Sequence, residues 1–217
     1  MTEGAPEAAG IVGVILAGGL ARRMGGGDKA LRTLSGRPVL DWVVERARPQ
    51  VSALALNANG DPGRFAPWGL PVLADPVEGF VGPLAGVLAG LDWAAELGAD
   101  WLATFPCDAP FLPADLVARL CQVRLAAGVP LACARSDGRD HPVVGLWPTS
   151  LRGDLRTALV DEGLRKVDLW TARHGLAVAE FAATPHDPFF NANRPEDFQV
   201  AEGLASCDAD DLNLKLV

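Results

Sequence analysis

Apolar residues along the chain fall into short β-branched runs that alternate with longer segments of helical period. Ile11 to Leu16 (IVGVIL) runs straight into glycines, the pattern of a buried parallel strand. Pro38 to Ala47 is amphipathic, and Pro38 suits a first helical turn. Further strands are expected at Val51 to Asn57, Leu70 to Ala74, Trp101 to Phe105, Leu131 to Arg135, Val143 to Trp147 and Ala177 to Phe181. Helices are expected at Pro83 to Leu97, Pro113 to Ala127, Ser150 to Val160, Val167 to His174 and Pro195 to Leu204. Gly86 and Gly90 weaken the helix at Pro83 to Leu97, so close packing against a neighbour is their expected reason.

Strands alternating with helices predict an α/β domain with a mainly parallel sheet. Ligands in such folds sit beyond the carboxyl ends of the strands. Chemistry is therefore expected just after Leu16, Asn57, Ala74 and Phe105, and the unusual residues of the chain stand there.

Composition narrows the function classes. The 217 residues have 49% hydrophobic and 21% charged positions, which suits one globular domain and excludes wholesale disorder. Apolar stretches such as Phe80 to Leu91 fall short of the roughly 18 residues of a membrane span. The first ten residues carry Glu3 and Glu7 and no base, so no secretory signal is read there and a cytoplasmic location is expected. Residues 1–10 are read as an extension, 11–204 as one domain, and 205–217 as a mobile acidic tail. Four cysteines without a C-x-x-C pair, and three histidines, argue against a zinc site or disulfide framework, so Cys107, Cys121, Cys133 and Cys207 read as ordinary thiols. The six tryptophans read as packing residues. A net charge of −8 argues against nucleic acid as partner. Yet Ile11 to Ala58 carries 7 bases against 3 acids, a local +4 that suits a small anionic ligand.

The segment from Leu16 to Lys29 (LAGGLARRMGGGDK) puts five glycines and three bases directly behind one strand. Glycines let backbone N–H groups approach phosphate, and bases neutralise its charge. The pattern is neither the dinucleotide fingerprint nor the ATPase P-loop, because Ala30 follows Lys29 where the latter needs Ser or Thr. Asp108 stands alone after Trp101 to Phe105, between prolines at 106 and 110. A carboxylate there suits Mg²⁺ shared with substrate phosphates; a turn or helix cap is the structural alternative. His141 and Asn193 carry comparable alternatives, as a loop hydrogen bond and a helix-start turn.

Taken in order, Leu16-Ala17-Gly18-Gly19, Arg22-Arg23-Met24-Gly25-Gly26, Asp28-Lys29, Asn57-Ala58-Asn59, Asp75, Gly82-Pro83-Leu84-Ala85-Gly86, Pro106-Cys107-Asp108, Asp140-His141-Pro142 and Asn191-Ala192-Asn193-Arg194-Pro195-Glu196-Asp197 resemble the molybdenum cofactor guanylyltransferases over nearly the whole chain. The resemblance implies a three-layer, Rossmann-like nucleotidyltransferase fold and transfer of GMP from GTP to the terminal phosphate of Mo-molybdopterin, with Mg²⁺. It implies GTP contacts at Leu16, Ala17, Gly18, Lys29, Asn57 and Asp75, and a nucleotide-associated metal at Asp108. Charge stabilisation is expected from Lys29 and Arg23, and an acceptor side from Arg22, His141, Asn191 and Asn193. Molybdenum-insertion proteins and molybdoenzyme chaperones are the implied partners. The LAGG strand end favours guanine over the cytidylyltransferase relatives; a sugar-phosphate nucleotidyltransferase and a nonenzymatic cofactor carrier are the other readings.

Overall fold

The computed structural model describes residues 10–18, 29–77, 79, 82–191 and 197–204, with the Lys29 side chain excepted. Strand β1 (Ile11–Leu16) is followed by a short hairpin of β2 (Thr33–Leu34) and β3 (Arg37–Pro38). Next come α1 (Val39–Ala47), β4 (Leu54–Asn57), β5 (Val72–Leu73), α2 (Pro83–Glu96) and β6 (Trp101–Pro106). The second half contains α3 (Leu116–Ala127), β7 (Leu131–Ser136), β8 (Arg139–Pro148), α4 (Arg152–Val160), α5 (Val167–Thr171) and β9 (Leu176–Phe181). Residues 197–204 form a closing helix.

Seven strands pair in the order β5-β4-β1-β6-β8-β7-β9. β5, β4, β1 and β6 run parallel, β8 runs against both β6 and β7, and β9 is parallel to β7. The expected mainly parallel sheet is therefore present, with one reversed strand near its middle.

Alternation along β1 divides the core. Ile11 and Ile15 join a cluster with Val43 of α1 and Leu120 of α3. Val12 and Val14 join another with Leu88 of α2, Leu155 of α4 and Trp170 of α5. Helices thus cover both faces, and each fully buried leucine such as Leu40 or Leu88 contributes about 1.5–3 kcal/mol by leaving water. The tight packing expected at Gly90 is real: a Cβ there would lie 2.7 Å from Leu102 Cδ2 and 2.9 Å from Val14 Cγ1.

Several boundaries move for identifiable reasons. β4 starts at Leu54, because Ser52 spends its N–H and its hydroxyl on the Ile11 carbonyl at 2.9 and 2.8 Å. Helix α3 starts at Leu116 and receives a cap from far away in the sequence. The Gln50 side chain accepts from Val117 N–H at 2.9 Å and donates to the Pro113 carbonyl at 2.9 Å. β8 begins four residues before the expected Val143, and its register against β7 shifts between Cys133 and Ala134, opposite the stretch containing Pro142. Proline has no ladder donor, so a bulge is the natural accommodation. The β2–β3 hairpin was not anticipated; Ser35 and Gly36 both take positive φ (48° and 80°), which suits a two-residue primed turn.

The reversed strand is joined to β6 through one buried hydroxyl. Thr104 Oγ1 donates to the Val143 carbonyl at 2.7 Å and accepts from Trp147 Nε1 at 2.8 Å and Gly145 N–H at 3.2 Å. Thr104→Val keeps the shape and removes the acceptor, leaving two buried donors unmatched. A loss of about 2–4 kcal/mol in urea unfolding is expected, since each unmatched buried group costs about 1–3 kcal/mol.

Candidate active site

The parallel register brings the ends of four strands to one level. Leu16 pairs with Asn57 on one side and Pro106 on the other, while Asn57 pairs with Leu73. The ladder continues past the strand ends, with Ala17 N–H donating to the Asn57 carbonyl at 2.8 Å and Ala58 N–H to the Leu73 carbonyl at 2.9 Å. Cys107 N–H reaches the Leu16 carbonyl at 3.3 Å. Ala17 N–H is thus committed to the sheet, and Gly18 supplies the next donor along the chain.

Asn57 is buried at this edge and its orientation is fixed. Its Nδ2 donates to Asp75 Oδ1 at 2.9 Å and to the Leu73 carbonyl at 3.1 Å. Asp75 also accepts from Asn59 Nδ2 at 2.7 Å on Oδ2, and its N–H donates to Asn59 Oδ1 at 2.9 Å. With both Nδ2 protons used, Asn57 Oδ1 turns toward Gly86 of α2 and Gly18. A Cβ on Gly86 would sit 2.3 Å from that oxygen and one on Gly18 at 3.2 Å. Gly86 therefore has no side chain because the Asn57 amide fills the space.

Asp108 follows the end of β6 and is half-buried. Among the described residues no three His, Cys, Asp or Glu side chains gather as a metal cluster. A single hard carboxylate fits Mg²⁺ only when substrate phosphates supply the remaining oxygens, which is the usual way that ion is held. Donor set and fold position agree with a shared ion and disagree with an all-protein cage.

β8 reaches the same edge with its beginning. His141 is buried, stacks at 4.7 Å on Phe189, and its Nε2 lies 2.7 Å from Ser136 Oγ. Burial holds its pKa below the usual histidine value, with nearby Asp187 pulling the other way. Asp140 pairs with Arg135, which holds its carboxyl below the usual range. An open cleft of about 620 Å³, lined by Trp101, Arg124 and Ser150 among others, lies at the opposite edge and touches none of these residues.

Comparison with known proteins fixes the family. The MobA-like NTP transferase domain matches residues 13–175. A molybdenum cofactor guanylyltransferase of Rhodopseudomonas palustris (strain HaA2) is 59% identical over 91% of this chain and 93% of its own. That of Bradyrhizobium sp. (strain ORS 278) is 54% identical over 91% and 94%. The chain belongs to the molybdenum cofactor guanylyltransferase family. The crystal structure of molybdopterin-guanine dinucleotide biosynthesis protein A from Archaeoglobus fulgidus superposes with a TM-score of 0.67 over 90% of this chain and 98% of that one. At 24% identity it speaks for the fold alone.

Within this family of nucleotidyltransferases, the expected residues divide by position. Leu16, Ala17, Gly18, Asn57, Asp75 and Asp108 share one edge of the sheet, and His141 joins them from the reversed strand. Asn191 lies directly after a turn packed on His141. Lys29 begins a short 3₁₀ turn (Lys29–Leu31) leading to the β2–β3 hairpin, with only its backbone described. Arg22, Arg23 and Asn193 lie outside the described residues, as do the first nine residues and the tail after Leu204. Gly10, by contrast, joins the sheet by accepting at 3.1 Å from the N–H groups of Asp100 and Trp101.

Sequence reasoning did not assign roles to Asn59, Gly86, Ser136 and Asp187. Asn59 and Gly86 stand inside motifs already singled out, so their neighbours gave a signal. Ser136 and Asp187 gave only proximity to such motifs. Cys107, Cys121 and Cys133 are buried, as expected, and burial pushes the Cys133 thiol up to about 12; Cys207 lies outside the described residues. Trp147 and Trp170 are fully buried, while Trp42, Trp68, Trp93 and Trp101 are partly buried against the core. No helix among the described residues is long and apolar enough to cross a membrane.

Two measurements follow from this geometry. Gly86→Ala should displace the Asn57 amide and weaken nucleotide binding about tenfold or more, read by calorimetry, because at least one fixed hydrogen bond is lost. His141 supplies a pH dependence. In the unfolded chain its imidazole takes up a proton near pH 6.5, while the folded site resists that proton. The unfolded state therefore binds more protons on acidification, and stability falls from that pH downward until the folded pKa is passed. His141→Gln should lose less Tm than the native protein as pH drops from about 7 to about 5.

Proposed function

We propose that the protein transfers GMP from GTP to the terminal phosphate of Mo-molybdopterin, forming molybdopterin guanine dinucleotide and releasing pyrophosphate. The observation that carries this reading is the position of Asp108. It follows the end of β6, beside the Leu16–Gly18 strand end and its Asn57–Asp75 neighbours. The choice of guanine and of a molybdopterin acceptor rests on the relatives' names and on the LAGG strand end.

An acceptor phosphate oxygen attacks the α-phosphorus of GTP, a new P–O bond forms, and the bond to the bridging oxygen of the β-phosphate breaks with pyrophosphate leaving. The attacking oxygen is already ionised near neutral pH, so no side chain has to take a proton from it. The barrier is the approach of two anions, and catalysis of such transfer is mostly positioning and charge stabilisation. Asn57 at the end of β4 and Asp75 just after β5 would be contacts to GTP. Gly18 offers backbone to the phosphates. Asp108 would hold Mg²⁺ together with phosphate oxygens, and that ion would supply charge neutralisation at the α- and β-phosphates. Lys29 and Arg23 are the proposed side-chain cations, with Arg22, His141, Asn191 and Asn193 on the acceptor side. The reaction suits a cytoplasmic enzyme drawing on the GTP pool and delivering product to molybdoenzyme chaperones.

Pyrophosphate release with GTP, CTP, ATP or UTP, Mg²⁺ and molybdate-loaded molybdopterin tests the reading. Release is expected with GTP alone, lost with chelator and with Asp108→Ala. Lys29→Ala should reduce turnover at least about 10²-fold, the usual effect of removing a stabilising donor. Release with CTP in place of GTP overturns the guanine assignment; a near-normal Lys29→Ala rate overturns that residue's role.

A further inference from the structure

Beyond β6, away from the nucleotide residues, a chain of three polar groups, the buried Ser136 and His141 and the half-buried Asp187, lies on the carboxyl edge. Ser136 is the last residue of β7 and has no solvent exposure. Its Oγ stands 2.7 Å from His141 Nε2 and 2.7 Å from Asp187 Oδ1. A hydroxyl has one proton, and an ionised carboxylate only accepts, so the Ser136 proton goes to Asp187. Toward His141 the same oxygen can then only accept, and Nε2 must carry hydrogen. Burial disfavours the imidazolium, so the ring is neutral and its lone pair is on Nδ1. The order of groups differs from a nucleophilic triad, where histidine stands between serine and carboxylate. Here the serine is in the middle and enclosed, so it bridges and does not attack.

Asp187 does a second thing. The same Oδ1 accepts from Phe189 N–H at 2.9 Å, and the Asp187 carbonyl accepts from Phe190 N–H at 3.1 Å. The Phe189 ring packs on His141 at 4.7 Å and edge-on against Phe181 at 5.2 Å. One carboxylate and one ring therefore fasten the turn at 187–190 to β7, β8 and β9. Asn191 is the next residue.

The sheet order gives this chain its meaning. Asp75 follows β5, Asn57 ends β4, Leu16 ends β1 with Ala17 and Gly18 after it, and Asp108 follows β6. Ser136 and His141 belong to β7 and β8, on the far side of β6. On the transferase reading the nucleotide takes the β5–β4–β1 side of Asp108, which leaves this side for the acceptor.

We propose that Ser136 and Asp187 are positioning residues for the acceptor, which fix His141 as its Nε2–H tautomer and hold Asn191 in place, so that the acceptor meets a lone pair at Nδ1 and docks there through an N–H or amino group of its heterocycle and not through its phosphate. This rests on the transferase reading above. A neutral Nδ1 has no proton to give a phosphate oxygen, whereas a pterin ring carries an amino group and a ring N–H that match it. The phosphate is thereby left for Asp108 and the cations.

The test uses the full-length protein in two parts. Nitrogen-15 NMR of histidine-labelled enzyme, with the His141 signal identified by its loss in His141→Gln, should show the neutral Nε2–H form and a shift at Nδ1 when molybdopterin is added. Ser136→Ala should abolish the single-tautomer signal. In steady-state kinetics, Ser136→Ala and Asp187→Asn should each raise the KM for molybdopterin about tenfold, the effect of one lost hydrogen bond, with the KM for GTP unchanged. An Nδ1–H tautomer in the native protein overturns the proposal. So does an equal rise in both KM values, or a rise in neither. If the native protein gives no turnover with GTP and molybdopterin, the transferase reading falls instead, and the tautomer of the free enzyme with its response to Ser136→Ala still decides whether the chain acts as stated.

Discussion

The register of β1 between two parallel neighbours is the constraint on which the site depends. Leu16 faces Asn57 and Pro106 at once, so the chain leaves three strands at the same height and on the same side. Hydrogen bonds such as that from Ala17 N–H to the Asn57 carbonyl continue this alignment beyond the strands. A slip of one residue would turn Ile11 and Ile15 toward the wrong helix layer and bury nothing well. The two apolar clusters thus hold the register, and the register holds the Asn57 amide within reach of Asp75 and beside Gly86. Core packing is in this sense the cause of the site's geometry.

The reversed strand changes what the edge can do. Had β8 run parallel to β6, its start would lie at the other edge and His141 would be remote from Asp108. Running backward, it brings its first residues to the carboxyl edge, and Thr104 anchors it to β6 through the Val143 carbonyl, Gly145 N–H and Trp147 Nε1. The bulge opposite Cys133 and Ala134 then allows His141 to meet Ser136. The edge acquires two halves with Asp108 between them, which is the layout required to bring a nucleotide and a second substrate to one reacting centre.

Strand–helix alternation and the apolar runs made the central strands, α1 and α2 legible in the sequence, because each buries a recognisable stripe. The strand-end rule points to the positions just after Leu16, Asn57, Ala74 and Phe105, which do share one edge, while Asn57 and Asp75 are singled out only through the family resemblance. Contacts between distant segments were not legible. Gln50 capping α3, Asn57 filling the space at Gly86, and Asp187 reaching Ser136 are formed by tertiary folding, and no local pattern encodes them. The Pro142 bulge was hidden for a related reason: a proline ordinarily ends a strand, and here the neighbouring strand adjusts its register instead.

The electrostatics of the edge also bear on how two anionic substrates could be held together there. Its described side chains are amides, a hydroxyl, one imidazole, carboxylates and the arginines Arg64, Arg135 and Arg139, and the carboxylates differ in use. Asp75 is occupied with Asn57 and Asn59, and Asp187 with Ser136 and the Phe189 N–H. Such an edge orients two anionic substrates but does little to offset their repulsion, and a divalent ion on Asp108 would offset part of it. Arg135 is engaged by Asp140 and Glu180 and Arg64 by the Asp61 and Asn59 carbonyls, so the proposed further positive charge is that of the segment following β1. The segment between Gly18 and Lys29 carries Arg22, Arg23 and Lys29 in an otherwise acidic protein. Glycine-rich backbone of that composition can approach phosphate closely, and its bases are the proposed source of the charge that a polar edge does not itself provide.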